Sequence, residues 1–277
     1  MMRVVLATVA AVVVSAVAAP ASANAGASWR DFALALGADS ALPEVRRQLA
    51  SYDLVVIDGQ EGRTTTVREL RAGGTTVLGY LSVGTIEPSR PWYRSLRRYR
   101  LAGSTWGEPY ARVGAAAYRR AMRRIAAGIA AKGFDGLFID NVDVVESYPS
   151  QSEGMRRLLT TISADLRADS KLLFAQNSFP FLRANRRLLD GWNREDLSYT
   201  YSFSRHAYRP SSARAREQAA RELAAMRALG LRTMATDYLP AAADAAPARQ
   251  RACQLQALSF VSDILLRRLP APYRCPG

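Results

Sequence analysis

After Trp29 the sequence alternates short apolar runs with longer amphipathic segments, and that alternation limits the chain to a sheet of mostly parallel strands with helices packed on it. Apolar runs predict strands at 32–36, 54–58, 77–83, 136–140, 172–177, 197–201, 233–238 and 258–262. Helical spacing predicts helices at 42–49, 66–72, 118–131, 154–168, 181–189, 213–229 and 247–255. In the third of these, Tyr118, Met122, Ile125 and Ile129 form one apolar stripe, and Gly133 is placed to end the helix. The strands are apolar on both faces, as a covered parallel sheet requires. Eight of them predict one α/β domain, a single (β/α)8 TIM barrel. The competing open doubly wound sheet binds nucleotides at a glycine-rich first turn, and Leu36-Gly-Ala-Asp39 is not such a turn.

The stretch Gly133-Phe-Asp-Gly-Leu-Phe-Ile-Asp-Asn-Val-Asp143 runs a buried-strand pattern directly into polar residues. Asp140 is thereby presented at a strand's carboxyl end, where barrels build active sites, with Asn141 and Asp143 beginning the loop beyond. Other strand ends repeat the pattern: Asp58, Ser82 with Glu87 beyond it, Asn177, Asp237 and Tyr238, while the loop before Leu197 adds Glu195. In a barrel these positions converge on one mouth. An isolated strand-terminal Asp is more often a turn former, and Asp58 before Gly59 fits that description.

The chain's two ends describe an exported protein. Arg3, the uncharged run 4–19 and the small residues Ala21-Ser-Ala23 and Ala23-Asn-Ala25 read as a signal peptide, residues 1–23, cleaved after Ala23 or Ala25; an uncleaved anchor is the alternative. Residues 24–277 then form the barrel domain of a secreted, monomeric protein. In an oxidising compartment the two cysteines, Cys253 and Cys275, are expected to pair and tie down the tail. The net charge is +14, and all but Lys132 and Lys171 of the 38 basic residues are arginines. Clusters such as Arg119-Arg120 and Arg123-Arg124 fall at helical spacing and read as solvated helix faces. No recognition motif points to nucleic acid, which leaves weak attraction to an anionic cell surface as the partner that charge allows.

Counting side chains removes several chemistries. One histidine, His206, cannot furnish a zinc site, no Gly-x-Ser-x-Gly elbow supports a Ser-His-Asp triad, and no P-loop occurs. An oxygen-only cation site is permitted by the carboxylates but nothing calls for it, so no metal or cofactor is expected. Paired-carboxylate chemistry is left, and glycoside hydrolysis is its commonest form: one carboxyl protonates the leaving oxygen while an ionised one attacks the anomeric carbon or activates water. Trp92, Tyr93, Tyr99, Trp106 and Tyr110 crowd the segment after the third strand. They either stack on sugars or pack that segment onto the barrel.

Several segments together resemble the endo-α-1,4-polygalactosaminidase family of TIM-barrel glycosidases: Tyr52-Asp-Leu-Val-Val-Ile-Asp58, Val77-Leu-Gly-Tyr-Leu-Ser-Val-Gly84, the Gly133–Asp143 stretch, Asn177, and Asp237-Tyr238. The resemblance implies that Asp140 and Glu195 are the two catalytic carboxylates, which we read as nucleophile and general acid/base respectively, with Asp196 as the rival to Glu195. Asp58, Tyr80, Asp143, Asn177, Asp237 and Tyr238 are implied to hold substrate or support the pair, and Glu87 and Trp106 are further candidates for substrate contact. The implied substrate is an α-linked amino-sugar polysaccharide, cut internally, with retention at a carboxyl separation of about 5–5.5 Å and inversion at about 6.5–9.5 Å; a non-catalytic carbohydrate-binding barrel of the cell envelope is the alternative. One departure bears on substrate rather than fold: many relatives carry an acidic residue directly after the glycine where this chain has Gly84-Thr85.

Overall fold

The computed structural model describes residues 28–104 and 107–276. The signal peptide assigned to residues 1–23, and Trp106, lie outside the described residues. Among the described residues, twelve strands and nine α-helices follow in order: β1 (Phe32–Ala35), α1 (Pro43–Leu49), β2 (Leu54–Asp58), α2 (Thr64–Ala72), β3 (Thr76–Ser82), α3 (Tyr93–Leu96), β4 (Arg100–Gly103), β5 (Pro109–Ala111), α4 (Ala116–Ala130), β6 (Gly136–Asp140), α5 (Val144–Ser147), α6 (Ser152–Ala168), β7 (Leu172–Gln176), α7 (Phe179–Ala184), β8 (Gly191–Glu195), β9 (Tyr199–Ser202), β10 (Ala207–Pro210), α8 (Ala213–Ala228), β11 (Arg232–Tyr238), α9 (Ala246–Gln254) and β12 (Leu258–Ser262).

Eight strands pair in parallel in the order β1-β2-β3-β6-β7-β8-β11-β12. The ends of this sheet meet, and Phe32 of β1 packs on Phe260 of β12 with ring centroids 5.7 Å apart. The result is a nearly closed TIM barrel with a helix in each of its seven crossovers. Two antiparallel hairpins, β4–β5 and β9–β10, stand outside the eight. The core is continuous: Leu34, Val56, Leu78, Phe138, Phe174 and Trp192 are all fully buried. In α4, Tyr118, Met122 and Ile129 are buried as the stripe requires, and Gly133 leaves the helix region at φ +97°.

No helix follows β12 among the described residues; the tail takes that position. Cys253 in α9 is bonded to Cys275, as expected. The tail reaches the amino-terminal end of the barrel, where Arg274 pairs with the fully buried Asp31 at 2.7 Å and Tyr52 donates its hydroxyl to the Pro270 carbonyl. No helix among the described residues is long and apolar enough to cross a membrane.

One strand is misplaced by the sequence pattern. The sixth barrel strand is β8, Gly191–Glu195, whereas residues 199–202 form the outer hairpin strand β9. Strand β8 reads Gly-Trp-Asn-Arg-Glu, too polar to score as a buried strand. Its buried amide is satisfied internally: Asn193, fully buried, donates to Gln176 Oε1 at 2.7 Å and accepts from Thr236 Oγ1 at 3.1 Å.

Candidate active site

At the carboxyl end of the barrel a cavity of about 320 Å3 is lined by Tyr80, Glu87, Ser104, Glu108, Asp140, Asn141, Asp143, Gln176, Asn177, Glu195 and Tyr238. An apolar wall of Leu36, Ile264, Leu265 and Leu266 closes the side formed by β1 and the loop after β12. Gly37 permits that wall: a Cβ there would stand 2.1 Å from the Leu265 carbonyl oxygen.

Asp140 ends β6. Its Oδ2 accepts the Tyr80 hydroxyl at 3.0 Å and its Oδ1 the Asn141 backbone N–H at 2.6 Å. Glu195 ends β8 in a matching arrangement, with Oε1 accepting the Tyr238 hydroxyl and Oε2 accepting Asn177 Nδ2 at 2.6 Å. Glu195 is therefore a strand-end residue and not, as its sequence context suggested, part of a loop. Each carboxylate has one tyrosine donor and one amide donor, one on each of its oxygens.

Both acids are raised to a pKa of about 7. For Asp140 the main cause is removal from water, followed by the charge of Glu195; the Asn141 N–H and Tyr80 hydroxyl oppose it. For Glu195 burial again dominates, followed by Asp196, against the Tyr238 and Asn177 hydrogen bonds. Burial and adjacent carboxylates hold both tyrosines well above their ordinary value, so they remain donors. Two carboxyls with raised and mutually dependent affinities for protons can hold one proton between them near neutrality.

The chain leaves the strands here through left-handed backbone at non-glycine residues: Asn141 at φ 56°, Asn177 at φ 53° and Asp196 at φ 60°. Such conformations cost energy and persist where surrounding contacts dictate them; Asn and Asp tolerate them best. At Asp196 the turn carries the side chain away, and this residue does not line the cavity.

Of the residues singled out in the sequence, Asp140, Glu195, Tyr80, Glu87, Asp143, Asn177 and Tyr238 come together. Asp58 and Asp237 do not. Asp58 Oδ1 accepts the N–H groups of Gln60 and Glu61, both at 2.8 Å, and its Oδ2 meets Arg90 at 2.7 Å. It is a turn former that anchors Arg90, which in turn grips Glu87 through two bonds of 2.8 and 3.0 Å. Asp237 precedes Tyr238, and alternation along a strand sends its side chain to the opposite face. There it is buried and accepts the N–H groups of Ser198 and Tyr199 at 2.6 and 2.8 Å, holding the chain between β8 and β9. His206 sits exposed at φ 47° between β9 and β10.

The aromatic cluster divides. Tyr110 is buried and donates to Asp143 Oδ2 at 3.1 Å, and Tyr99 packs edge-on against Tyr118. These rings hold the β4–β5 hairpin to the barrel. Sequence reading missed Glu108, which that hairpin carries into the cavity; burial and Glu87 raise its pKa, opposed by Thr85 and Arg90. It also missed Gln176, the last residue of β7, whose strand-end position was the available signal.

A sequence model of glycoside-hydrolase family GH114 matches residues 14–266. The chain belongs to this family. Among solved structures, the glycoside hydrolase domain of PelA from Pseudomonas aeruginosa is similar at a TM-score of 0.77 and 23% identity, over 89% of this chain and 99% of that one. Aspergillus fumigatus Ega3, solved in complex with galactosamine, is similar at a TM-score of 0.69 and 15% identity, over 94% and 98%. An α-galactosidase from Thermus thermophilus is more distant, at a TM-score of 0.57 and 12% identity, over 84% of this chain and 57% of that one. At these identities the likenesses establish the barrel fold. Comparison with curated protein sequences gives no match. The GH114 chain described here is thus a TIM-barrel glycoside hydrolase.

Proposed function

We propose that this GH114 protein is a secreted, endo-acting glycosidase that cleaves an α-linked amino-sugar polysaccharide with retention, using Asp140 as nucleophile and Glu195 as general acid/base. The observation that carries the substrate class is electrostatic. In a chain of net charge +14, the cavity gathers five carboxyl groups (Glu87, Glu108, Asp140, Asp143 and Glu195) and no basic side chain among its described lining residues, and Arg90, which stands behind Glu87, is itself shared with Asp58. A site of that composition favours a cationic sugar, and screening over about 8–10 Å hides the distant arginines from it. Ega3, a structural neighbour, was solved with galactosamine bound, which fits the same class.

In the proposed cycle the proton shared by the pair resides on Glu195 at the start, where it can pass to the leaving glycosidic oxygen while ionised Asp140 attacks the anomeric carbon. Tyr80 stabilises the charge on Asp140 until attack. Glu195, now ionised, takes a proton from water, which releases the sugar from Asp140 and restores the starting state. Retention requires a carboxyl separation of about 5–5.5 Å.

The test is reducing-end release from a panel of galactosamine, glucosamine, N-acetylated and uronic-acid polymers. Release from the galactosamine polymer above the others supports the proposal. Preference for a uronic-acid polymer contradicts the electrostatic argument.

A further inference from the structure

Thr85 and Ser82 are both buried, at 4% and 3% exposure, and neither lines the cavity. Their hydroxyls nevertheless join two residues that do. Asn141 Nδ2 lies 2.9 Å from Ser82 Oγ, Ser82 Oγ lies 2.6 Å from Thr85 Oγ1, and Thr85 Oγ1 lies 3.0 Å from Glu108 Oε2. Backbone contacts hold the ends of this chain in register. Ile86 N donates to the Pro109 carbonyl and Ala111 N to the Gly84 carbonyl, at 2.8 and 2.7 Å, clamping the Glu108 hairpin beside residue 85. Gly84 lies so close to Asn141 that a Cβ on it would stand 1.6 Å from the Asn141 carbonyl oxygen.

The direction of the chain follows from counting protons. Thr85 Oγ1 donates to Glu108 Oε2, so its single hydroxyl proton is spent there. Thr85 must then accept the proton of Ser82. Ser82 Oγ, having donated, can only accept from Asn141, and so it faces the amide's NH2 group. The Asn141 carboxamide is left with one orientation, its Oδ1 free of protein partners among the described residues and available to the cavity beside Asp140.

We propose that Thr85 is a positioning residue: with Ser82 it transmits the acceptor character of Glu108 to Asn141 and fixes Oδ1 as an acceptor for a hydroxyl or ammonium group of the sugar bound next to Asp140. Without the Thr85 hydroxyl, Ser82 loses its fixed acceptor, can donate to Asn141 instead, and the amide samples both orientations. The inference rests on the proposed glycosidase activity only for its kinetic readout.

T85V, T85S, S82A, N141A and T85V/N141A are compared with the parent on the galactosamine polymer. Losing one oriented hydrogen bond to substrate is expected to raise KM about fivefold to tenfold in T85V and S82A, with kcat within about twofold. T85S restores the link and stays within about twofold of the parent. T85V adds less than about twofold to N141A, because its effect passes through Asn141. An unmoved KM in both T85V and S82A, or a T85V effect that multiplies on N141A, overturns the proposal. A second readout needs no substrate. In 15N-asparagine-labelled protein, the Asn141 side-chain NH2 signals are expected to be protected from exchange in the parent and T85S and to lose protection in T85V and S82A. If the parent cleaves no amino-sugar polymer, the glycosidase reading fails and this comparison alone decides: equal protection in all four proteins overturns the inference.

Discussion

Replacing either acid of the Asp140–Glu195 pair is expected to stabilise the protein at alkaline pH and not at acidic pH. Burial and the neighbouring carboxylate raise Asp140 from 3.8 to about 7, so between those values the folded state holds a proton that the unfolded chain releases. A carboxyl with a raised folded pKa contributes stability that is complete below its unfolded pKa and is lost as pH rises through the folded one. At about 1.4 kcal/mol per tenfold change in proton affinity, the displacement costs at most about 4 kcal/mol above pH 7. The carboxamide introduced by D140N removes that charge but offers one acceptor where the Asn141 N–H and Tyr80 hydroxyl now find two, which returns about 1–3 kcal/mol. The net expectation for D140N is a gain of about 2 kcal/mol at pH 8, or about 4–8 °C in Tm for a domain of this size. Near pH 4 the gain disappears. The assay is thermal unfolding followed by circular dichroism from pH 4 to 8 at constant ionic strength, with E195Q as a second variant. Loss of stability at pH 8, or a gain of equal size at pH 4, refutes the claim that the pair is held against its own desolvation.

Three other expectations follow from the same contacts. Turnover requires one proton on the pair, so kcat/KM should trace a bell whose alkaline limb falls through about pH 7, read from initial rates across pH. R90M removes the partner of both Asp58 and Glu87 at an Arg side chain only 10% exposed; it should cost about 3–5 kcal/mol at pH 7 by urea unfolding. C253S/C275S opens a closure of 22 residues and should lower unfolding free energy by about 3 kcal/mol, with kcat unchanged because the disulfide lies away from the cavity.

Much of the barrel was legible because apolar side chains report burial directly. The β6 run Leu-Phe-Ile before Asp140 could hardly fold as anything but an inner strand, and the α4 stripe marked its own buried face. The pattern failed at β8, where the buried Asn193 is satisfied by Gln176 of β7 and Thr236 of β11 and Arg194 pairs with Glu222 of α8. No single-sequence pattern records such a partner. The same limit explains the site. Asp58 and Asp237 have the right residue type at strand ends, but a turn and a strand's alternation point them elsewhere. Glu108 comes from a hairpin whose docking depends on Tyr110 meeting Asp143 and on backbone bonds to residues 84–86, contacts between parts of the chain far apart in sequence.

The central claim, that Asp140 and Glu195 act as one catalytic pair, is tested most directly by initial rates of D140N and E195Q on a polymer the parent cleaves, with binding of that polymer measured in parallel. The account predicts binding in both variants and a fall in kcat of at least about a thousandfold in each. Undiminished hydrolysis by either variant, or a parent that binds the polymer without ever releasing a reducing end, would contradict it.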